Sequence, residues 1–237
     1  MRTADLRRFA IEAVLIDEFS EVEQILEAVS SFAHRRNVFV SGSAREYGSL
    51  GKDKMEDLSR VLGQRLIKEG YNLVSGFGVG IGEYCVVEAL KALYYVRKGS
   101  ENERVIVRPF PRAQNAAVQQ QELNLRHRED LISRSGAVVF IAGNRASPGT
   151  GVIEPSSGAR EEFRIAKRLK RFIIPIATTG YVAEEIWNEV MNNMEDFYPD
   201  IAVRDQMRRL ADPALSMADL VEAVIEIIRL TVKSREL

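Results

Sequence analysis

The chain has 237 residues, 46% hydrophobic and 28% charged, an ordinary globular make-up that supports a core without disulfides or metal. Its 33 basic and 34 acidic residues leave a net charge of -1, which offers no global attraction to nucleic acid or to an anionic membrane. A lone cysteine, Cys85, and two histidines, His34 and His127, argue against disulfides and metal sites and for a reducing, cytoplasmic setting. No apolar run reaches the roughly 20 residues of a membrane span, and the first residues lack the apolar centre of a signal peptide.

Residues 1–36 differ in character from the rest of the chain. Ser20 and Glu23 have the spacing of a capping box ahead of Ile25, Leu26, Val29 and Phe32, one face of a helix. Phe9, Ile11, Val14 and Leu15 before it show no comparable pattern and read as a linker or part of something upstream. From residue 37 onward strand, loop and helix recur. Val38–Val40 predicts a strand ending at Ser41-Gly42-Ser43, and Asp53–Lys68 a helix with Met55, Leu58, Val61, Leu62 and Leu66 on one stripe and Gly70 just past its end. Asn72–Val74 predicts the second strand, followed by a glycine string and a helix to about Tyr95. Val105–Val107 is a third strand halted by Pro109 and Pro111, and residues 114–133 form a long helix. Ala137–Ala142 is the fourth strand, followed by a Gly/Pro/Ser-rich loop over 143–158, a helix over 159–170 and a strand at Phe172–Ile176. Two helices close the pattern, one after Tyr181 and one capped by Ser216 with Asp219.

Continuous apolar strands alternating with amphipathic helices specify an α/β fold, a Rossmann-like doubly wound parallel sheet over 37–237 with an N-terminal helical segment. Its ligand belongs at the carboxyl ends of the strands. In the first such loop, Gly42 lets the backbone approach a ligand while Ser41, Ser43 and Arg45 donate to phosphate or ribose; a plain turn is the competing reading. The second loop places Gly76, Gly78, Gly80 and Gly82 around Phe77, between a strand and a helix, where main-chain N–H groups can form a phosphate nest. It matches neither the dinucleotide fingerprint nor a Walker A loop. Arg108, stiffened by Pro109, is expected to contact ligand, and Arg112 to be solvated. On the next helix Arg126 shares a face with Glu129, which makes a structural ion pair an alternative to ligand contact, Arg128 adds a second charge, and His127 reads as a surface residue. The fourth loop holds Asn144 and leads into Gly158-Ala159-Arg160-Glu161-Glu162, whose glutamates either complement the helix dipole or accept from a ribose.

These segments together resemble the SLOG superfamily, which includes the lonely-guy phosphoribohydrolases. Those enzymes carry a Pro-Gly-Gly-x-Gly-Thr-x-x-Glu loop where this chain has Pro155-Ser156-Ser157-Gly158-Ala159-Arg160-Glu161-Glu162, lacking the glycine pair and the threonine. Asn37-Val38-Phe39-Val40-Ser41-Gly42-Ser43-Ala44, Leu73-Val74-Ser75-Gly76-Phe77-Gly78, Arg108-Pro109-Phe110, Arg128-Glu129-Asp130-Leu131-Ile132 and Thr179-Gly180-Tyr181 are more similar to the SLOG domain of the Thoeris antiphage sirtuin-SLOG effectors. That resemblance implies a non-catalytic sensor of a cyclic ADP-ribose isomer, with no further cofactor. In the full-length protein it would be joined to a sirtuin-like NAD-cleaving domain, whose tail would be residues 1–36, and it would form a homo-oligomer. It further implies phosphate at the glycine loops, charge-assisted bonds from Arg108 with Arg126 or Arg128, ribose hydroxyls at Glu161, and adenine against Phe77 or Phe110. Two apolar stripes could serve core or self-association: Met217, Leu220, Val221, Val224, Ile225 and Ile228, and Tyr84, Val87, Leu90 and Tyr94. A lonely-guy-type hydrolase using Glu161 or Glu162 is the alternative; a single-stranded-DNA-binding role lacks the basic surplus.

Overall fold

The computed structural model describes residues 22, 29, 34–96, 104–111 and 117–234. The chain divides into two units, residues 1–34 and Arg35–Leu237, and the second holds the sheet and its flanking helices. Ser20, Glu23, Arg112 and the start of the helix expected at 114 lie outside the described residues.

Five parallel strands form the sheet: β1 (Asn37–Ser43), β2 (Asn72–Ser75), β3 (Val105–Val107), β4 (Ala137–Ala142) and, numbered β7 by chain order, Phe172–Ile176. Their order is β3-β2-β1-β4-β7, so chain progression reverses between β1 and β4 and a crevice opens at their carboxyl ends. Every residue of β4 is buried, because a central strand covered on both faces must be apolar throughout. The register pairs Ser41 with Phe140 and Ser43 with Ala142, which carries both serines to the edge of the crevice.

Helices flank the sheet: α1 (Lys52–Lys68), α2 (Gly82–Val96), α3 (Ala117–Ser133), α4 (Ser157–Arg168), α5 (Tyr181–Asn192), α6 (Met194–Phe197), α7 (Arg204–Arg209) and α8 (Met217–Ser234). The predicted α1 stripe is buried at Met55, Leu58, Leu62 and Leu66. Helices α1 and α2 cross at Gly63, where a Cβ would lie 2.0 Å from the Cys85 carbonyl oxygen. Burial at that crossing pushes the Cys85 thiol up to about 12, so it is packing, not a reactive group. Ser216 caps α8 as expected, accepting from Asp219 N at 3.2 Å and donating to the Asp219 carboxylate at 2.6 Å.

The structure differs from the sequence expectation in two places. Within 143–158, β5 (Asn144–Ala146) pairs antiparallel with β6 (Ile153–Pro155), forming a hairpin held by the Arg145–Glu154 ion pair at 2.8 Å. Three-residue strands on either side of Ser147-Pro148-Gly149-Thr150-Gly151 are too short for an alternation signal. After α5 the short helices α6 and α7 occupy a stretch to which the sequence pattern assigns no element; helices of four and six residues show no full amphipathic period. Among the described residues no helix is long and apolar enough to cross a membrane.

Candidate functional site

A cavity of about 500 Å³ opens at the carboxyl ends of β1, β2 and β3, within the range of small-ligand pockets. Its walls come from Ser41–Ser43 at the end of β1, Gly76–Val79 after β2, Pro109–Pro111 after β3, the α3 side chains Gln120, Asn124 and Arg128, and the start of α4 with Glu162. Two of these loops interlock through main chain. Ala44 N donates to the Val79 carbonyl at 3.0 Å, and a Cβ at Gly78 would sit 1.9 Å from the Gly42 carbonyl oxygen. Much of the glycine string is thereby explained by loop-on-loop contact. Phe77, between two glycines, has φ +59° and is 45% exposed, holding its ring at the cavity mouth in a backbone conformation a bulky residue rarely adopts.

The charged centre of the cavity is Glu162, only 7% exposed. Ser41 Oγ donates to its Oε2 at 2.5 Å and Arg128 Nε to its Oε1 at 3.2 Å. Burial raises the Glu162 carboxyl above the ordinary glutamate value, opposed by Arg128, Ser41 and the nearby His127. The Arg128 guanidinium also lies 4.8 Å from the Phe110 ring centre, and Phe110 meets His127 edge-on at 4.7 Å. Position 158 must be small for this arrangement: a Cβ there would lie 2.6 Å from Arg128 Nη2. Ser156 caps α4 by accepting from Ala159 N at 3.3 Å. The first-turn N–H groups of Ser157 and Gly158 have no intrahelical acceptor, and the positive end of the helix dipole faces the same space.

The structure brings Ser41, Gly42, Ser43, Gly76, Phe77, Gly78, Phe110 and Arg128 together around the cavity. It places the other expected site residues elsewhere. Gly80 and Gly82 lie beyond the cavity wall, Gly80 with φ +76° over the Ala44 carbonyl. Asn144 is fully buried as a loop brace: its Oδ1 accepts from Arg45 N at 2.8 Å and Glu46 N at 3.1 Å, and its Nδ2 donates to the Glu46 carbonyl at 2.7 Å. Arg45 enters that brace by its main chain and does not line the cavity. Arg108 turns to Asp130 of α3, which also accepts from Arg134 at 2.8 Å. Arg126 pairs with Glu122 at 2.6 Å rather than with Glu129, which pairs with Arg168. Glu161 pairs with Arg164 at 2.8 Å on the outer face of α4. His127, expected on the surface, is half-buried, with Nε2 2.9 Å from the Arg108 carbonyl oxygen.

Beyond the sequence expectation the cavity adds Gln120, Asn124, Ser156 and Gly158, and of the two glutamates left open by the sequence it takes Glu162. Helical phase could have chosen between the two glutamates. Ala159, Phe163 and Ala166 are the buried face of α4, and Glu162, three residues after Ala159, shares that face while Glu161 does not.

Relatives in sequence bear the description "NAD(+) hydrolase ThsA". The one from Bacillus cereus (strain MSX-D12) is 31% identical over 229 residues, 96% of this chain and 47% of the relative. The one from Acinetobacter baumannii (strain 532279) is 32% identical over 232 residues, 95% of this chain and 48% of the relative. The chain therefore spans about half the length of the curated relatives it matches. The solved structure of the structural genomics target TM1055 matches in fold alone, with a TM-score of 0.50 and 18% identity over 81% of this chain and 98% of that one. A family model described as the Sir2- and TIR-associating SLOG family, STALD, matches residues 21–231. With most of its length matched and its parallel sheet ordered as that fold requires, the chain belongs to the STALD family of SLOG domains.

Proposed function

We propose that this domain is the ligand sensor of a longer antiphage effector: it binds a cyclic ADP-ribose-type nucleotide and thereby activates an associated NAD-cleaving domain. The observation that carries this reading is the cavity at the carboxyl ends of the strands, with phosphate- and ribose-binding groups on α4 and an aromatic ring at its mouth. The exposed Phe77 ring offers a stacking face for a base, since Phe110 is already engaged by Arg128 and His127. Main-chain N–H groups at the start of α4 and the Ser156 hydroxyl suit phosphate, and Glu162 suits a ribose hydroxyl. The relatives' description as NAD(+) hydrolases, and their extra length, support a fused effector domain.

Self-association belongs to this reading, through the exposed face of α2 at Val87, Leu90, Tyr94 and Tyr95. The α8 stripe is excluded from that role, because Leu220, Val221, Val224, Ile225 and Ile228 are buried core. Calorimetry and thermal shift with cyclic ADP-ribose isomers, linear ADP-ribose and NAD test the sensor reading; it predicts tightest binding of a cyclic isomer. Saturating isomers that give neither heat nor shift would remove it. The buried Glu162 carboxyl inside the cavity also favours a second reading, a nucleoside 5'-monophosphate phosphoribohydrolase with Glu162 as proton donor. Free base released from AMP above a Glu162→Gln control would promote it.

A further inference from the structure

Of the described residues lining the cavity, Arg128 and Glu162 alone carry charge, and they are paired with each other. Ser41 directs its proton to the same carboxylate at 2.5 Å, and Ser43 directs its own to the Asn144 carbonyl at 2.9 Å. The donors left for an anion are neutral, among them the Asn124 amide, the Ser156 hydroxyl and the first-turn N–H groups of α4, whose helix end is equivalent to about half a unit charge. Glu162 is sheltered from solvent, so its charge is poorly screened.

We infer that Glu162 makes this cavity select phosphates linked on both sides, which carry one negative charge each, over ligands that end in a phosphomonoester. The inference rests on reading the cavity as a nucleotide site and adds the class of phosphate it takes. A doubly linked phosphate spreads one charge over two free oxygens, which N–H donors can match without a cation. A terminal phosphomonoester carries between about 1.5 and 2 charges at neutral pH. Its extra charge meets a cation already engaged and a buried carboxylate that repels it. One charge facing another about 6 Å away, at an effective dielectric near 20, changes affinity roughly a hundred-fold; the opposing effect of Arg128 leaves about ten-fold.

The test is a calorimetric titration with three probes, ADP-ribose, ADP and the β-methyl ester of ADP, at one salt concentration, above neutral pH and without divalent cations. Wild type is expected to bind ADP about ten-fold more weakly than its methyl ester, with ADP-ribose on the side of the ester. Glu162→Gln keeps the side-chain shape and removes the charge; it should close the gap to within about three-fold, mainly by tightening ADP. Should that variant fail to fold, Glu162→Met decides: it removes the charge and leaves no polar group to bury, so the gap must likewise close. Equal binding of ADP and its ester to wild type, or a gap unchanged in a folded Glu162→Gln or Glu162→Met, overturns the inference and leaves the nucleotide reading standing. If none of the probes and no cyclic isomer binds, the nucleotide reading itself fails, and this inference with it.

Discussion

Replacing Arg128 by methionine tests whether the Arg128–Glu162 pair is a charge interaction sealed in the wall of the cavity. Side chains of both partners are largely hidden, at 17% and 10% exposure. Methionine keeps the apolar stem and removes the guanidinium, with its charge and its contact to the Phe110 ring. Removing one partner of a buried pair costs about 3–5 kcal/mol, because the other charge is left uncompensated. Glu162 can escape by taking up a proton, which sets a ceiling. Its unfolded value is 4.5 and burial raises the folded one. Between the unfolded and the folded values the native carboxyl holds a proton that the unfolded chain has released, so stability falls as pH rises through that window. Without Arg128, the largest influence opposing that rise, the loss steepens. Neutralisation at about 1.4 kcal/mol per pH unit caps the penalty near 4 kcal/mol at about pH 7.5 and near 0.7 kcal/mol at about pH 5. Arg128→Met is thus expected to lose about 3 kcal/mol at the higher pH, roughly 6–12 °C in Tm, and about 1 kcal/mol or less at the lower one. Urea midpoints at both pH values, with unchanged slope, give the measurement. The double variant with Glu162→Gln should recover to within about 1 kcal/mol of wild type at both. An equal loss at the two pH values would show that packing, not charge, is what Arg128 contributes, and would refute the argument.

Arg108→Ala is expected to leave ligand affinity within about two-fold in titrations, because its side chain is 42% exposed and engaged with Asp130 outside the cavity. Gly78→Ala should abolish folding or cost more than about 3 kcal/mol in urea, since the new Cβ falls on the Gly42 carbonyl and neither main chain can yield cheaply. Cys85 should resist thiol reagents in the native protein and react at once in denaturant, because burial holds it protonated.

Legibility followed the range of the interactions. Strand runs such as Ala137–Ala142, the α1 stripe and the Ser216 cap are set by neighbours within one element, so the local pattern carried them and, with them, the parallel sheet, though not the order of its strands. The loops after β1 and β2 were legible as the cavity's edge because a doubly wound sheet has one place for its ligand. Partner choice was not legible. Arg108 and Arg128 look equivalent in sequence, yet one finds Asp130 on its neighbouring helix and the other reaches Glu162, 34 residues away. Glycines read as a phosphate nest prove in part to be clearance for the Gly42 and Ala44 carbonyls, a contact between loops that no single segment encodes. Composition and periodicity determined the layers and the crevice, because those depend on which residues avoid water along one element. Which charges face the cavity was decided only when α3 and α4 packed side by side, since an arginine's partner depends on what the folded chain brings within reach.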